Sequence, residues 1–373
     1  MKYLAKAIVI FTCSLLLAGA ATADPDLIVK RNAAVNFATL PLDTRFPEGI
    51  TANPANGDIY VATFDAPSPT NPNPNNKLLR FNRQGHLVAA RDFGTDPLLG
   101  LAFDSANGQV YIANVGDFSG TGSRVQRIAS NFNAATPIVN VANISVVDAP
   151  DARIVNNPDG SVDTITFGDN ARVPNAMVLD SSGNLYVSDS FQGAIFRIDN
   201  VNGCATPCTM TTVKHDGLLA TAGFPPFGAN GLALNADEST LFIANTGDDR
   251  ILTLDLVTLM VSEIPFAESI NGADGVAMDS QGRLWVAANQ GDEVVALNST
   301  GRVIVKLGDF QGIRQDGSPK GLLFPASLVI VKKEIFVTNL ALPLTGGDEP
   351  EADVTRYTVS RMKIPESDDH DDD

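Results

Sequence analysis

A short apolar strand with an aromatic residue near its centre recurs six times along the chain. Each copy is entered from a polar or charged residue, as in Asp58-Ile-Tyr-Val-Ala62 and Arg283-Leu-Trp-Val-Ala287. The aromatic residues are Tyr60, Tyr111, Tyr186, Phe242, Trp285 and Phe336. They are separated by 51, 75, 56, 43 and 51 residues. A repeat of roughly 40–50 residues built from short strands is typical of a β-propeller blade.

Further strands flank each aromatic strand. One precedes it across a tight turn, as in Gly49-Ile-Thr-Ala52, and one follows it, as in Lys77-Leu-Leu-Arg-Phe81. Apolar and polar residues alternate in these segments, which favours half-buried strands. A fourth strand is predicted in five units, near Val88, Val139, Thr212, Val261 and Val303. The sequence therefore predicts an all-β fold, a six-bladed β-propeller.

The sixth unit lacks a fourth strand of its own. Its third strand is predicted at Asp353–Tyr357, and only a short stretch follows before an acidic tail. We expect segment 26–37 to complete this blade as its outer strand, because that closure joins the two ends of the chain and removes an open edge. An insertion at 143–172 carries turn residues and is either an extra hairpin or a flexible surface loop.

The start of the chain is typical of an exported protein. Lys2 and Lys6 accompany a short apolar run, and Ala21-Thr-Ala23 forms a small-x-small cleavage site. We therefore predict a signal peptide at 1–23, the propeller at 24–365 and a disordered acidic tail at 366–373. This organisation predicts a periplasmic or extracellular protein with no membrane segment after cleavage.

Charge and cysteine content narrow the range of partners. The formal net charge of −17 at pH 7 argues against nucleic-acid binding and favours the attraction of cations. Cys13 lies in the signal peptide, which leaves Cys204 and Cys208. A pair this close in an exported chain favours a disulfide that closes a hairpin loop, and a redox or zinc role is the alternative. The oligomeric state stays open.

Carboxylate or amide side chains open the inner strand of four of the six units. Alignment of the units places six residues at this position: Glu48, Leu99, Asn175, Asn230, Asp274 and Ser327. Inner strands run along the channel of a propeller, so their first residues should converge at one mouth. Two carboxylates and two carboxamides suit a hard divalent cation, with Ca²⁺ preferred over zinc. Alternatively, Asn230-Gly231 and Asp274-Gly275 are ordinary turns.

Five segments around these positions form a recognisable pattern. They are Phe46-Pro-Glu-Gly49, Val173-Pro-Asn175, Gly228-Ala-Asn-Gly-Leu232, Gly272-Ala-Asp-Gly-Val276 and Gly282-Arg-Leu-Trp-Val286. They resemble the senescence-marker-protein/gluconolactonase family, which includes regucalcin-like lactonases, and are similar to diisopropylfluorophosphatase and paraoxonase propellers. The resemblance implies a six-bladed propeller with calcium at the channel mouth. It implies that the metal ligands are Glu48, Asn175, Asn230 and Asp274.

The chain departs from this pattern at three points, and at one of them Asn175 is followed by Ala-Met rather than by the family's usual Asp-Gly. Regucalcin-like members carry an arginine two residues before the third-blade asparagine, where this chain has Val173. Arg172 is adjacent, but it should point the other way in an extended segment, which argues against a sugar lactone. The histidine pair of paraoxonases has no clear counterpart. His215, expected in a connection on the metal face, is a candidate acid or base.

The expected function is the Ca²⁺-dependent hydrolysis of a small-molecule lactone or related ester. The metal would polarise the carbonyl for attack by water, with Asp274 as general base and Asn175 holding metal and substrate oxygen. The alternative is a non-catalytic propeller that calcium stabilises and that binds a protein or glycan, since a fold does not determine an activity. Quinone-dependent oxidation is disfavoured, because no cluster of basic and aromatic residues suits that cofactor.

Overall fold

The computed structural model describes residues 27–69, 71–117, 122–147, 153–156, 159–165, 171–264, 270–345 and 348–366. The predicted signal peptide and residues 367–373 of the predicted tail lie outside this part of the chain. The regular elements of the described residues are β-strands and four short 3-10 helices. None of the described helices has the length and apolar character needed to cross a bilayer.

Six antiparallel sheets form the blades of a propeller, numbered here in chain order. The inner strands are Pro47–Ala52, Leu98–Asp104, Pro174–Leu179, Ala229–Leu234, Ala273–Met278 and Pro325–Val331. The second strands are Ile59–Thr63, Gln109–Asn114, Leu185–Asp189, Thr240–Asn245, Leu284–Ala288 and Glu334–Asn339. The third strands are Asn76–Phe81, Arg124–Ala129, Ala194–Ile198, Arg250–Asp255, Glu293–Leu297 and Thr358–Lys363. The outer strands are Leu87–Gly94, Val139–Asn143, Thr211–His215, Val261–Glu263, Val303–Leu307 and Val35–Thr39.

The inner strands close into a ring around the channel. Each one contacts the inner strands of both neighbouring blades, and blade 6 contacts blade 1. The predicted all-β, six-bladed β-propeller is confirmed. All six predicted aromatic strands are the second strands of their blades, and all five predicted outer strands are present.

The second strands are buried on both faces because each blade is packed between two others. Tyr60, Tyr111 and Trp285 are fully buried, yet their polar atoms have partners. The Tyr60 hydroxyl donates to the Ser130 carbonyl at 3.0 Å, and Trp285 Nε1 donates to the Asp279 carboxylate at 2.8 Å. These aromatic residues supply apolar surface between the blades without leaving a polar atom unpaired.

The N-terminal segment closes the propeller, but only its second strand lies in blade 6 as predicted. Val35–Thr39 pairs antiparallel with Thr358–Lys363 and is the outer strand of blade 6, as predicted. The prediction is wrong for Ile28–Lys30, which pairs in parallel with Val303–Leu307 of blade 5. The short helix Arg31–Ala33 separates the two strands, so the segment joins the edges of two adjacent blades.

The third strand of blade 6 also differs from the prediction. Residues 353–357 were expected to form it, but Pro350–Asp353 is a 3-10 helix and the strand is Thr358–Lys363. The Tyr357 ring instead packs edge-on against Phe46, with 5.0 Å between ring centroids. A contact with blade 1 therefore decides the conformation of a segment whose local alternation resembles a strand.

Two further predictions about loops are confirmed. The insertion before blade 3 contains the hairpin alternative, with Arg153–Asn156 paired antiparallel to Val162–Ile165. Cys204 and Cys208 form a disulfide with 5.5 Å between their Cα atoms. The Cys208 N–H donates to the Val141 carbonyl at 2.7 Å, which fixes this turn of blade 3 against blade 2.

Removal of the closing strand should destabilise the whole ring. A chain that starts at residue 40 loses Val35–Thr39 and the edge-on contact between Phe37 and Phe336. We expect its free energy of unfolding in urea to fall by about 3 kcal/mol, since buried apolar surface becomes exposed. A chain that starts at residue 34 keeps this strand and is the control. Equal stability of the two truncated chains would contradict closure by residues 35–39.

Candidate metal and catalytic centre at the channel mouth

In every blade the ladder between the inner and second strands is interrupted at the same point. In blade 4, Ala229 pairs with Asn245, and the next paired residue is Leu232, opposite Ile243. The inner strand thus carries one extra residue, and the other five blades show the same interruption. Such bulges redirect side chains and are common next to active sites. The first interrupted residues are Glu48, Leu99, Asn175, Asn230, Asp274 and Ala326.

The register corrects the sixth member of this set. Pro325 pairs with Asn339 and Leu328 with Val337, so Ala326 occupies the position assigned to Ser327. Ser327 lies one residue later, and its backbone N–H donates to Thr338 Oγ1 at 3.0 Å. The sequence alignment was wrong by one residue because no oxygen-bearing side chain marks the position in blade 6.

The four predicted ligands are brought together. Glu48, Asn175, Asn230 and Asp274 line one cavity at the channel mouth, together with Leu99. Their relative exposures lie between 2% and 4%. The cavity volume is about 30 Å³, which is room for a single ion or water molecule.

The alternative that the Asn-Gly and Asp-Gly pairs are turns is wrong. Asn230-Gly231 and Asp274-Gly275 lie inside inner strands. A Cβ atom at Gly231 would lie 2.3 Å from the Asp274 carbonyl oxygen, and one at Gly49 would lie 2.1 Å from that of Leu99. Glycine is therefore needed here because the backbones of adjacent inner strands approach closely.

Two hydroxyl groups orient the candidate amide ligands. Asn175 Nδ2 donates to Ser190 Oγ at 2.9 Å, and Asn230 Nδ2 donates to Thr246 Oγ1 at 2.9 Å. The hydrogen bond occupies the nitrogen end of each amide, which leaves the oxygen end for the cavity.

The same hydroxyl groups connect neighbouring blades. Ser190 Oγ donates to the Ala229 carbonyl at 2.7 Å, and Thr246 Oγ1 donates to the Ala273 carbonyl at 2.8 Å. A hydroxyl has one proton, so each can only accept from its amide. Ala229 and Ala273 directly precede the next candidate ligand in the ring, and each bond therefore positions two blades at once.

The Asp274 carboxylate is oriented by an amide side chain instead of a hydroxyl group. Asn289 Nδ2 donates to Asp274 Oδ2 at 3.0 Å. Ser190, Thr246 and Asn289 were missed by sequence reasoning, although each lies four residues after the aromatic residue of its blade. A signal was present, because this position is polar only in the three blades that carry Asn175, Asn230 and Asp274. In the other blades it is occupied by Phe64, Val115 and Leu340.

Burial shifts both carboxyl groups towards their neutral forms. Burial and the nearby Asp274 carboxyl group raise the pKa of Glu48 well above its ordinary value. Burial raises the pKa of Asp274 to about 7, although the hydrogen bond from Asn289 opposes the shift. Two ionised carboxylates in this cavity are therefore unfavourable unless a cation compensates them.

The donor set fits a hard divalent cation. Glu48 Oε2, Asp274 Oδ1 and Asn289 Oδ1 are buried acceptors without a hydrogen-bond partner among the described residues. Buried polar atoms are rarely left unpaired, so the two free carboxylate oxygens of Glu48 and Asp274 indicate a missing positive partner. The described residues contain no group of three or more His, Cys, Asp and Glu side chains that could hold a metal. The candidate set instead combines two carboxylates with amide oxygens, which suits calcium better than zinc.

Part of the sequence is similar to known lactonase-type proteins. A family model described as the SMP-30/Gluconolactonase/LRE-like region matches residues 209–308. The curated lactonase drp35 of Staphylococcus saprophyticus is 24% identical over 258 residues, which cover 61% of this chain and 67% of the relative. The chain is therefore similar to the SMP-30/gluconolactonase family over the matched residues.

Solved structures share the fold of this family. A calcium-binding protein of Agrobacterium tumefaciens, regucalcin, gives a TM-score of 0.61 at 13% identity and covers 90% of this chain and 95% of its own. A gluconolactonase of Xanthomonas campestris gives a TM-score of 0.52 at 13% identity. The match covers 95% of this chain and 100% of the gluconolactonase. At this identity the likeness shows the propeller fold alone.

Three residues singled out from the sequence do not line the cavity. Arg172 Nη1 donates to the Ile144 carbonyl at 3.0 Å, and Val173 is fully buried, so neither residue lines the cavity. His215 is the last residue of the blade 3 outer strand, which corrects its expected place in a connection. It pairs with Ala194 of the third strand. Three strand spacings, roughly 14 Å, therefore separate it from the inner strand.

The orientation of Asn230 should depend on the hydroxyl group of Thr246. Thr246→Val keeps the shape but leaves Asn230 Nδ2 and the Ala273 carbonyl without partners. We expect the free energy of unfolding in urea to fall by about 2–3 kcal/mol. Thr253→Val, on the third strand of the same blade, is the matched control, since its hydroxyl makes only a 3.4 Å contact at an exposed site. Equal effects of the two substitutions would contradict the assigned role.

The metal-free protein should lose stability as the pH rises. Glu48 and Asp274 have raised pKa values in the folded state, so the folded chain retains protons that the unfolded chain releases above about pH 4. With a chelator present, we expect the free energy of unfolding to fall between pH 5 and pH 8, and Glu48→Gln to reduce this fall. Urea unfolding at three pH values measures this change in the free energy of unfolding. The control is Glu263→Gln, whose native side chain is 46% exposed; identical pH profiles of the two variants would refute the assignment.

Proposed function

We propose that this protein is an exported, Ca²⁺-dependent hydrolase of a lactone or related ester. The observation that carries the proposal is the convergence of four buried oxygen-bearing side chains on one cavity that contains unpaired acceptor atoms. Similarity to a curated lactonase supports the choice of substrate class. The disulfide between Cys204 and Cys208 is compatible with an oxidising compartment outside the cytoplasm.

The residues that would hold calcium are Glu48, Asn175, Asn230 and Asp274. They supply two negative charges and two neutral amide oxygens, and this low ligand count leaves room for a water molecule and a substrate oxygen. Bound there, the cation would polarise the substrate carbonyl and stabilise negative charge on its oxygen.

Asp274 is the proposed general base. Its Oδ2 accepts a hydrogen bond from Asn289, whereas its Oδ1 is buried without a partner and is free to accept a proton from water. Hydrolysis adds this water to the carbonyl carbon and breaks the ester C–O bond, and the proton taken up at Oδ1 is returned to the leaving alkoxide. Asn175, fixed by Ser190, would position the substrate oxygen.

Chelation and replacement of the base should both abolish activity. We expect hydrolysis of a δ-lactone panel to fall at least about 100-fold after EDTA treatment and in Asp274→Asn, since the proton acceptor is lost. Activity should return when Ca²⁺ is added back to the unsubstituted protein. Asp199→Asn is the matched control, because the Asp199 side chain is 60% exposed.

A different outcome would favour a non-catalytic role. If calcium raises the melting temperature while no lactone, ester or phosphotriester is turned over, the protein is a calcium-stabilised propeller that binds a protein or glycan. If turnover occurs and is insensitive to both EDTA and Asp274→Asn, the proposed mechanism is wrong.

A further inference from the structure

A collar of apolar side chains surrounds the mouth of the candidate metal cavity. This apolar collar consists of Phe64, Phe227, Phe324, Leu340, Leu342 and Leu344. Its members come from separate parts of the ring: the end of the blade 1 second strand, the connections that enter blades 4 and 6, and the loop after the blade 6 second strand. Phe227, Leu342 and Leu344 are only half-buried, so they present apolar surface to an incoming molecule.

The polar side chains that line the same cavity are already engaged. They are the four candidate ligands together with Thr246 and Asn289, which orient two of them. Outside the candidate ligands, Asn289 Oδ1 is the buried acceptor that the described residues of this lining leave unpaired. A polyhydroxylated sugar lactone carries more hydroxyl groups than this lining has partners for, so most of them would give up water without a replacement, which disfavours its binding.

The backbone at Phe324 indicates that the collar is held in place. Its φ is 45°, in the left-handed region that large side chains rarely adopt. The Asp292 carboxylate accepts the Phe324 N–H at 2.7 Å and fixes this conformation. Strained conformations of this kind persist where the surrounding structure imposes them, often at ligand-binding sites.

From this lining we infer that the site takes a lactone or ester with an alkyl or aryl substituent rather than a sugar lactone, an inference that rests on the proposed function. The ester group faces the candidate ligands, and the substituent lies against Phe227, Leu342 and Leu344 at the open side of the collar. Affinity for the substituent comes from the apolar surface that it removes from water.

The test compares δ-lactones that carry hydrogen, propyl, pentyl or heptyl at the ring carbon next to oxygen with glucono-δ-lactone. We expect kcat/KM to rise about threefold for each methylene that becomes buried, until the collar is filled. Glucono-δ-lactone should be at least about 100-fold poorer than the pentyl lactone. Leu344→Ser and Phe227→Ser should flatten the dependence on chain length. The matched control is Val257→Ser, in the turn between the third and outer strands of blade 4, where Val257 is 83% exposed. This substitution should leave the dependence of kcat/KM on chain length unchanged.

The possible failures are distinguishable. Hydrolysis that prefers glucono-δ-lactone, or that is independent of chain length, overturns this inference and leaves the lactonase proposal intact. If none of the lactones is hydrolysed, the proposed function fails, and calorimetric binding of the corresponding alkyl δ-lactams with calcium present decides the inference. Lactam binding that tightens with chain length and weakens in Leu344→Ser supports the apolar ligand class. Absent or length-independent binding overturns it.

Discussion

The burial of two carboxyl groups side by side in one cavity is the constraint on which the structure around the channel depends. Glu48 and Asp274 come from blades 1 and 5. Burial raises the pKa of both carboxyl groups, so ionising either of them costs more free energy here than in water. The ring of inner strands must therefore be rigid enough to hold them together. The Thr338 hydroxyl, which donates to the Glu48 carbonyl at 2.7 Å, and Asn289, which holds Asp274, are parts of that support.

Rigidity follows from placing the centre on strands rather than on loops. A bulge lies at the same point of all six inner strands, and in blades 1 to 5 its first residue lines the cavity at the channel mouth. Glycine after that residue, as at Gly49 and Gly231, allows adjacent backbones to approach closely. Hydroxyl groups such as Ser190 then link one candidate ligand to the backbone of the next blade. Groups held in this way are positioned before a substrate arrives.

The connections between strands serve a different purpose. Phe227, Phe324 and Leu342 lie on segments that enter blades or join their strands, and these segments vary in length and conformation without disturbing the ring. The candidate ligands and the apolar collar thus lie on separate parts of the chain. The inner strands supply charge and oxygen donors, whereas the connections supply apolar surface at the mouth of the cavity.

The sequence by itself determined the repeat and the four oxygen-bearing positions, because both depend on spacing along the chain and each blade repeats the same spacing. Local alternation was misleading at 353–357 and 28–30, where contacts with blades 1 and 5 decide the outcome. The blade 6 position equivalent to the candidate ligands was assigned to Ser327 instead of Ala326, since only the pairing with the second strand reveals the bulge. The roles of Ser190, Thr246 and Asn289, and the convergence of the collar, were decided by the tertiary structure alone. Hydrogen bonds and apolar contacts between distant blades exist only once the ring has closed.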